Sequence, residues 1–214
     1  SFCVVWYVFC VCINWRRTRL GTLDRSGRCV DYLRYRRVDV WAYGDESYQV
    51  SEKIRVTTKT PISILFVCMG NICRSPAAEC LMRNALDEQG IADQFVLDSA
   101  GTGGWQVGNK PDRRMRAAAK AAGRSIQGSA RSVCNADFDA FDWIFCMDHD
   151  NYANLVSMGA NPEKTHLLLE FIAHASVQEV PDPYLGGDEG FADVIALIDE
   201  AIHVLIKKLH TTAR

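Results

Sequence analysis

The 214-residue sequence predicts an α/β protein in which a four-stranded parallel sheet is flanked by helices on both faces. From residue 61 onward, short apolar runs alternate with longer segments of helical periodicity, and this alternation is typical of parallel sheets. The first apolar run, residues 62–67, leads into a tight loop and then a helix start. The chain is 48% hydrophobic and 23% charged, which is ordinary for a globular protein.

The predicted elements follow one another without internal repeats. Pro76 falls in the first turn of the first helix, where proline is favoured, and Gly123 ends the alanine-rich second helix. The last helix has an apolar stripe that we interpret as core. Strands are predicted at residues 62–67, 95–99, 142–146 and 165–169, helices at 76–89, 111–122, 148–158 and 189–208, and shorter helical turns around 137–140 and 170–176.

The loop after the first strand has the composition of a phosphate-binding site. A loop between a strand and a helix start directs backbone N–H groups and the positive end of the helix dipole towards an anion. The pattern Cys-x5-Arg-Ser adds a thiolate on the floor and a guanidinium at the rim, so the loop is expected to bind a phosphate and attack it. The residues of this loop are Cys68, Met69, Gly70, Asn71, Ile72, Cys73, Arg74 and Ser75.

Each residue type suits this chemistry. Cys68, at a helix N-terminus beside arginine, is expected to ionise near neutral pH. Arg74 can hold two phosphate oxygens with its planar fork, and the Ser75 hydroxyl can donate to the thiolate. Gly70 is expected to permit a special turn, and Asn71 tolerates left-handed geometry and can tie the loop together. A buried strand-end cysteine next to an ordinary surface arginine is the simpler alternative.

The segment Val67–Pro76 closely resembles the signature of the low-molecular-weight protein tyrosine phosphatases. The resemblance extends from about Pro61 to His210 and includes the stretch Val180–Tyr184. It implies a Rossmann-like phosphatase fold and a hydrolase that cleaves phosphotyrosine in proteins through a phosphocysteine intermediate. It also implies a cytoplasmic enzyme, a monomer or weak dimer, that needs no cofactor and no metal.

The resemblance assigns the general acid to Asp182. On chemical grounds, a carboxyl group over the phosphate could protonate the departing aryl oxide and then activate water against the intermediate. Judged by spacing alone, Pro181-Asp182-Pro183 is a plain turn. Only its pairing with the Cys-Arg loop supports a role, so the expected catalytic residues are Cys68, Arg74 and Asp182.

The resemblance also suggests how substrate is held. Trp105 and Tyr184 would flank a phenyl ring at the entrance, where aromatic walls favour an aryl phosphate. In the family, the cysteine at the position of Cys73 can form a protective disulfide with the nucleophile, although a small apolar filler remains an alternative. The expected substrate-binding residues are Met69, Gly70, Asn71, Ile72, Cys73, Ser75, Trp105 and Tyr184.

One departure from the family pattern concerns Asn71. Relatives usually carry a histidine that bonds the loop asparagine, and here Gly128 occupies that position. Water or another side chain must then replace the histidine. The spacing of His and Cys residues does not suggest a metal site.

Charge and cysteine content restrict the possible functions. Residues 61–214 hold 13 basic and 20 acidic residues, a net charge of −7, which argues against a nucleic-acid substrate. Nine cysteines, with several in apolar strands, suit a reducing compartment.

Residues 1–60 differ from the rest in composition and carry a net charge of +5. The apolar run at 2–13 is too short to span a membrane. We expect an extension that is poorly ordered or not native to the protein, for example from a misplaced gene start, followed by a phosphatase domain at 61–214. A membrane-proximal anchor with a positive cytoplasmic flank is the alternative.

Two other functions remain open at this point. Arsenate reduction on the same fold uses a similar loop, with further cysteines as electron relays, and here Cys134 and Cys146 would have to serve. A non-catalytic phosphate-binding module is less well supported, because nucleophile, arginine, serine and acid are all present.

Overall fold

The computed structural model describes residues 60–172 and 177–212, together with the backbone of two earlier strands; residues 210–212 are described by their backbone alone. The earlier strands, β1 (Arg16–Leu23) and β2 (Cys29–Arg36), pair antiparallel in a sheet of their own. The sequence predicts neither strand, since this arginine-rich stretch shows no clear period. The apolar run at 2–13 lies outside the described residues, and the assignment of 1–60 as an extension stays a prediction.

Four parallel strands form the main sheet in the spatial order β4-β3-β5-β6. Residues 63–68 of β3, an inner strand, are all buried, as expected for a parallel strand covered on both faces. The predicted four-stranded parallel sheet is therefore confirmed. The strands are β3 (Ile62–Cys68), β4 (Phe95–Gly101), β5 (Trp143–Cys146) and β6 (Thr165–Leu167).

Helices cover both faces of this sheet, as predicted. Ile64 and Phe66 of β3 belong to the core cluster that contains residues of α1, α2 and α5. Leu65 and Val67, which alternate with them, belong to the cluster that contains residues of α3 and α4. The helices are α1 (Arg74–Glu88), α2 (Arg113–Ala121), α3 (Asn135–Ala140), α4 (His149–Ser157) and α5 (Glu189–Thr212).

Helix starts differ from the prediction where local contacts decide them. The first helix begins at Arg74 instead of residue 76, so Pro76 is its third residue. The second begins at Arg113, two residues later than predicted, because Asp112 is its N-cap and accepts the N–H of Arg114.

The fourth strand is shorter than predicted. It ends at Leu167, and Leu168–Phe171 form a 3-10 turn whose two leucines are buried in the core. The helical turn predicted around 170–176 overlaps this turn at its start, and residues 173–176 lie outside the described residues.

The loop between β3 and α1 depends on two residues with different backbone roles. Asn71, with φ 53°, is the one non-glycine residue with a positive φ among those described, so it and not Gly70 provides the left-handed position. The glycine that the loop requires is Gly101 at the end of β4. A Cβ atom there would lie 2.9 Å from the Met69 carbonyl oxygen, so only glycine permits this close approach.

Candidate active site

The Cys68 side chain lies at the carboxyl end of β3, where parallel sheets present ligands. Its Sγ atom is 3.0 Å from Oγ of Ser75 and accepts the backbone N–H of Asn71 at 3.3 Å. The N-terminus of the 15-residue helix α1 follows immediately and adds positive potential. The N–H of Asn71 and the helix dipole favour a negative charge on the sulfur, and the Ser75 hydroxyl, which lies within reach of the Ala100 carbonyl oxygen as well, can turn to donate to it.

The Arg74 guanidinium is 3% exposed and has three partners in the free protein. Nη1 donates to Asp148 at 2.6 Å and to the Val180 carbonyl oxygen at 3.1 Å, and Nη2 donates to Asp182 at 2.7 Å. Burial disfavours the charged form, but the charges of Cys68 and Asp182 and the bond to Asp148 outweigh it and raise the pKa of Arg74. The cation is therefore permanent.

Asn71 connects the thiol to the neighbouring strand. Its amide nitrogen donates to Oγ of Ser75 at 2.9 Å and to Oγ of Ser99 at 3.0 Å. Its amide oxygen accepts the backbone N–H of Arg131 at 2.9 Å. Ser99 and the Arg131 backbone thus satisfy the side chain that lacks a histidine partner. Gly128 itself is exposed and has a φ of 98°.

Two further groups, which the sequence does not point to, support this network. The hydroxyl of Ser99 donates to Glu79 at 2.8 Å, and burial raises the pKa of Glu79 against the bonds from Arg83 and Ser99. Arg131 is held by ion pairs to Asp98 at 3.0 Å and to Asp137 at 2.8 Å. Ser99 and Arg131 lie 28 and 60 residues from Asn71, so no local pattern identifies them.

A small cavity of about 40 Å³ lies above the thiol and brings together most of the expected residues. Trp105 and Tyr184 stand at its mouth and are 64% and 43% exposed. The side chains of Asn71 and Ser75 are not part of the lining, because both are buried behind the sulfur. Gln106 is an addition that the sequence does not predict. The lining residues are Cys68, Met69, Gly70, Ile72, Cys73, Arg74, Trp105, Gln106, Asp182 and Tyr184.

Tyr184 is positioned by Arg114. The guanidinium lies 5.5 Å from the centre of the tyrosine ring and 4.5 Å from that of Phe191, and it donates to the Tyr184 carbonyl oxygen at 3.0 Å. These contacts hold one aromatic wall against α2 and α5.

Cys73 borders the same cavity but differs electrostatically from the nucleophile candidate. Burial, followed by the charges of Asp112 and Cys68, raises the pKa of Cys73 to about 12. Cys73 is therefore a neutral thiol at physiological pH. Its disulfide with Cys68 stays a prediction.

Within the described part of the chain, no group of three or more His, Cys, Asp or Glu side chains is arranged to hold a metal ion. None of the described helices combines the length and apolarity of a membrane span.

Known proteins share both the sequence and the fold of this unit. Residues 63–214 match the family model described as low molecular weight phosphotyrosine protein phosphatase. The protein of that name from Schizosaccharomyces pombe is 42% identical over 142 residues, which are 64% of this chain and 91% of the relative. A crystal structure of a protein tyrosine phosphatase from Entamoeba histolytica has a TM-score of 0.68 and 38% identity, covering 72% of this chain and 99% of that one.

A Drosophila arginine phosphatase has the same fold, with a TM-score of 0.64 and 32% identity over 68% of this chain and 96% of that one. The matched region contains the sheet β3–β6, apart from Ile62 at the start of β3, and every residue that lines the cavity. The chain belongs to the low molecular weight phosphotyrosine protein phosphatase family.

Proposed function

We propose that this chain hydrolyses phosphotyrosine in proteins through a cysteinyl-phosphate intermediate. Cys68 is the nucleophile, Arg74 holds the phosphate, and Asp182 acts first as general acid and then as general base. The proposal is supported above all by one observation: the thiol, the guanidinium and the carboxyl group border a single cavity with aromatic residues at its mouth.

The first step begins with an exchange of partners at Arg74. In the free protein, Nη2 of Arg74 is bonded to Asp182, and a phosphate dianion would take over that donor. The released carboxyl group lies beside the bound phosphate, where in its protonated form it can act as the general acid. The thiolate of Cys68 then forms the S–P bond while the P–O bond to the aryl group breaks, and Asp182 gives its proton to the departing oxygen.

The second step reverses the roles. Asp182, now a carboxylate, takes a proton from water as the water oxygen forms a bond to phosphorus. The S–P bond breaks and the electron pair returns to Cys68, where the hydroxyl of Ser75 and the N–H of Asn71 stabilise the anion. Inorganic phosphate leaves and Arg74 can pair with Asp182 again.

The shape of the site favours an aryl phosphate. The thiol is 3% exposed at the bottom of the cavity, while Trp105 and Tyr184 are exposed at the top, so the phosphate must be carried on a long flat group. A phosphoserine side chain is shorter and has no ring to contact these walls. We further infer a reducing, cytoplasmic location, since the thiol must stay reduced. As a separate inference, we propose that the protein is a monomer or weak dimer.

The experiment measures hydrolysis by the full chain of p-nitrophenyl phosphate and of peptides with phosphotyrosine, phosphoserine or phosphoarginine. We expect phosphotyrosine to be the preferred peptide, and Cys68→Ser to lower kcat by about 1,000-fold or more. Cys80→Ser is the matched control, because Cys80 is a half-buried thiol of α1 outside the cavity. Preferential cleavage of phosphoarginine would overturn the proposed substrate.

Arsenate reduction with thioredoxin, in the absence of phosphatase activity, would overturn the reaction type. The geometry of the thiols does not favour arsenate reduction. Cys146 is completely buried in β5, and burial raises the pKa of its thiol, which makes it a poor relay.

A further inference from the structure

A second cavity, of about 500 Å³, lies along one side of α2 and is not part of the active site. Its volume is in the range of typical ligand sites. Pro111 and Ile126 are buried at its floor, and most of the other lining residues are exposed. We call this cavity the α2 groove; it is lined by Lys110, Pro111, Arg113, Arg116, Ala117, Lys120, Arg124, Ser125, Ile126 and Gln127.

The α2 groove is strongly basic in an otherwise acidic unit. Half of its lining residues are Lys or Arg, and none is acidic. Residues 110–127 contain six basic residues and one acidic residue, whereas residues 61–214 as a whole carry a net charge of −7. Arg113, Arg116 and Lys120 lie three and four residues apart, so the helix presents them on one face.

Most of these cations are not neutralised within the protein. Arg124 pairs with Glu88. Within the described residues, Lys110, Arg113, Arg116 and Lys120 form no ion pair with a carboxylate, and Arg116 bonds only the Pro111 carbonyl oxygen. Four uncompensated positive charges around one cavity create a local potential that attracts an anionic ligand.

The groove adjoins the catalytic cavity. The backbone N–H of Asp112, next to Pro111 at the groove floor, donates to the carbonyl oxygen of Ile72 in the catalytic cavity at 2.7 Å. The segment from Trp105 to Lys110 lines the catalytic cavity at one end and the groove at the other. Five residues span at most about 18 Å, so a peptide of similar length can reach from one site to the other.

We propose that the α2 groove binds an acidic segment of the phosphoprotein substrate, within about six residues of the phosphotyrosine. This inference rests on the function proposed above. The groove is joined to the site that would hold the phosphotyrosine, and its apolar floor can pack against a peptide chain. Since the rest of the unit carries a net negative charge, an acidic flank is on average repelled by it and attracted along this side.

The test compares phosphotyrosine peptides that carry Asp and Glu on the N-terminal side, on the C-terminal side, or Asn and Gln on both sides. For the wild-type full chain we expect kcat/KM to be about tenfold higher for one acidic peptide than for the neutral one at low salt. The ratio should fall towards one at about 0.3 M salt, because exposed ion pairs are screened.

Arg116→Glu and Lys120→Glu, singly and together, should abolish or reverse this preference. Lys164→Glu is the matched control, since it changes the charge equally but lies just before β6, at the amino end of the parallel strands, whereas Cys68 lies at the carboxyl end of β3. Arg116→Gln with Lys120→Gln serves if charge reversal impairs folding, because glutamine is a good helix former. The ratio of acidic to neutral peptide is taken within each variant, so differences in overall activity cancel.

An equal ratio in the wild type and in the double variant would overturn the proposal. So would inhibition by inorganic polyphosphate or a short single-stranded nucleic acid that depends on Arg116 and Lys120 while the peptides show no preference. If the wild type cleaves neither the peptides nor p-nitrophenyl phosphate, the proposed function itself fails. An active phosphatase that shows no preference for acidic peptides would instead overturn the proposal for the α2 groove alone.

Discussion

Replacing Asp148 tests whether the guanidinium of Arg74, which we propose binds the phosphate, is held in place from outside the cavity. The Asp148 carboxylate lies 2.6 Å from Nη1 of Arg74 and also accepts the N–H of Asn151 at the start of α4. Because the Arg74 side chain is 3% exposed and that of Asp148 only 20%, water replaces a lost carboxylate poorly. We therefore expect truncation of Asp148 to lower both the stability of the protein and its affinity for phosphate.

The magnitude follows from the two roles of this carboxylate. Removing one partner of a buried ion pair costs about 3–5 kcal/mol. The bonds that Arg74 keeps to Asp182 and the Val180 carbonyl oxygen reduce this cost to about 2–3 kcal/mol, by the size of a typical charged hydrogen bond. Loss of the helix N-cap adds about 1 kcal/mol, so Asp148→Ala should lower the free energy of unfolding by about 3–4 kcal/mol.

A series of variants at this position separates the two roles. Asp148→Ser keeps a helix cap but cannot reach Arg74, and it should lose only the ion-pair contribution. Asp148→Asn has a single amide oxygen where Asp148 uses two carboxylate oxygens, so it can keep the cap to Asn151 or the bond to Arg74, but it loses the other acceptor and the charge. It should therefore lose at least as much stability as Asp148→Ser. Asp150→Ser, in the same helical turn, is the control, because Asp150 is exposed and forms no ion pair with the described part of the chain.

Two measurements decide the outcome. Urea unfolding of the full chain gives the stability, and inhibition of p-nitrophenyl phosphate hydrolysis by inorganic phosphate gives the affinity of the site. We expect the inhibition constant to rise about tenfold for Asp148→Ser, which corresponds to about 1.4 kcal/mol. An Asp148→Ser protein that matches the wild type in both measurements would refute the reasoning.

Three further predictions concern the neighbouring groups. Asp182→Ala should slow phosphotyrosine hydrolysis about 100-fold and p-nitrophenyl phosphate hydrolysis far less, since only the poorer leaving group needs the proton; equal losses would exclude a general acid. If Cys73 forms a disulfide with oxidised Cys68, a thiol reductant added after peroxide treatment should restore the phosphatase activity of the wild type but not that of Cys73→Ser. Equal recovery of activity would contradict this. Burial raises the pKa of Glu79 in the folded protein, so its contribution to stability is present at low pH and is lost as the pH rises above 4.5. The stability of Glu79→Gln relative to wild type, from urea unfolding between pH 4 and 8, should therefore increase with pH, and a constant difference would refute the assignment.

Local sequence was sufficient where an element depends on its own residues. The apolar residues 64–68 of β3 are all buried, and the alternation of strands with helices predicts the parallel sheet. The first and last residues of the helices and strands were less predictable. Helix α2 begins where Asp112 caps it through a local hydrogen bond, whereas β6 stops where Leu168 turns into the core, which depends on packing against other parts of the chain.

The candidate active site also combines features set by neighbouring residues with features set by distant contacts. One short stretch of sequence contains Cys68, Arg74 and Ser75. The chemistry that we propose for this stretch therefore follows from the order of the three residues and from the helix that begins at Arg74. The positive charge of the α2 groove can likewise be read from the sequence as a run of basic residues. The distance between the groove and the proposed phosphate site cannot.

Sequence by itself determined the class of fold and pointed to the proposed nucleophile and phosphate-binding loop, because these depend on neighbouring residues and on the geometry of a strand followed by a helix. Only the tertiary structure decided which groups surround Arg74 and Asn71. Asp148 is 74 residues from Arg74, and Ser99 is 28 residues from Asn71. They meet because parallel strands bring their carboxyl ends to one edge of the sheet, whatever their separation along the chain.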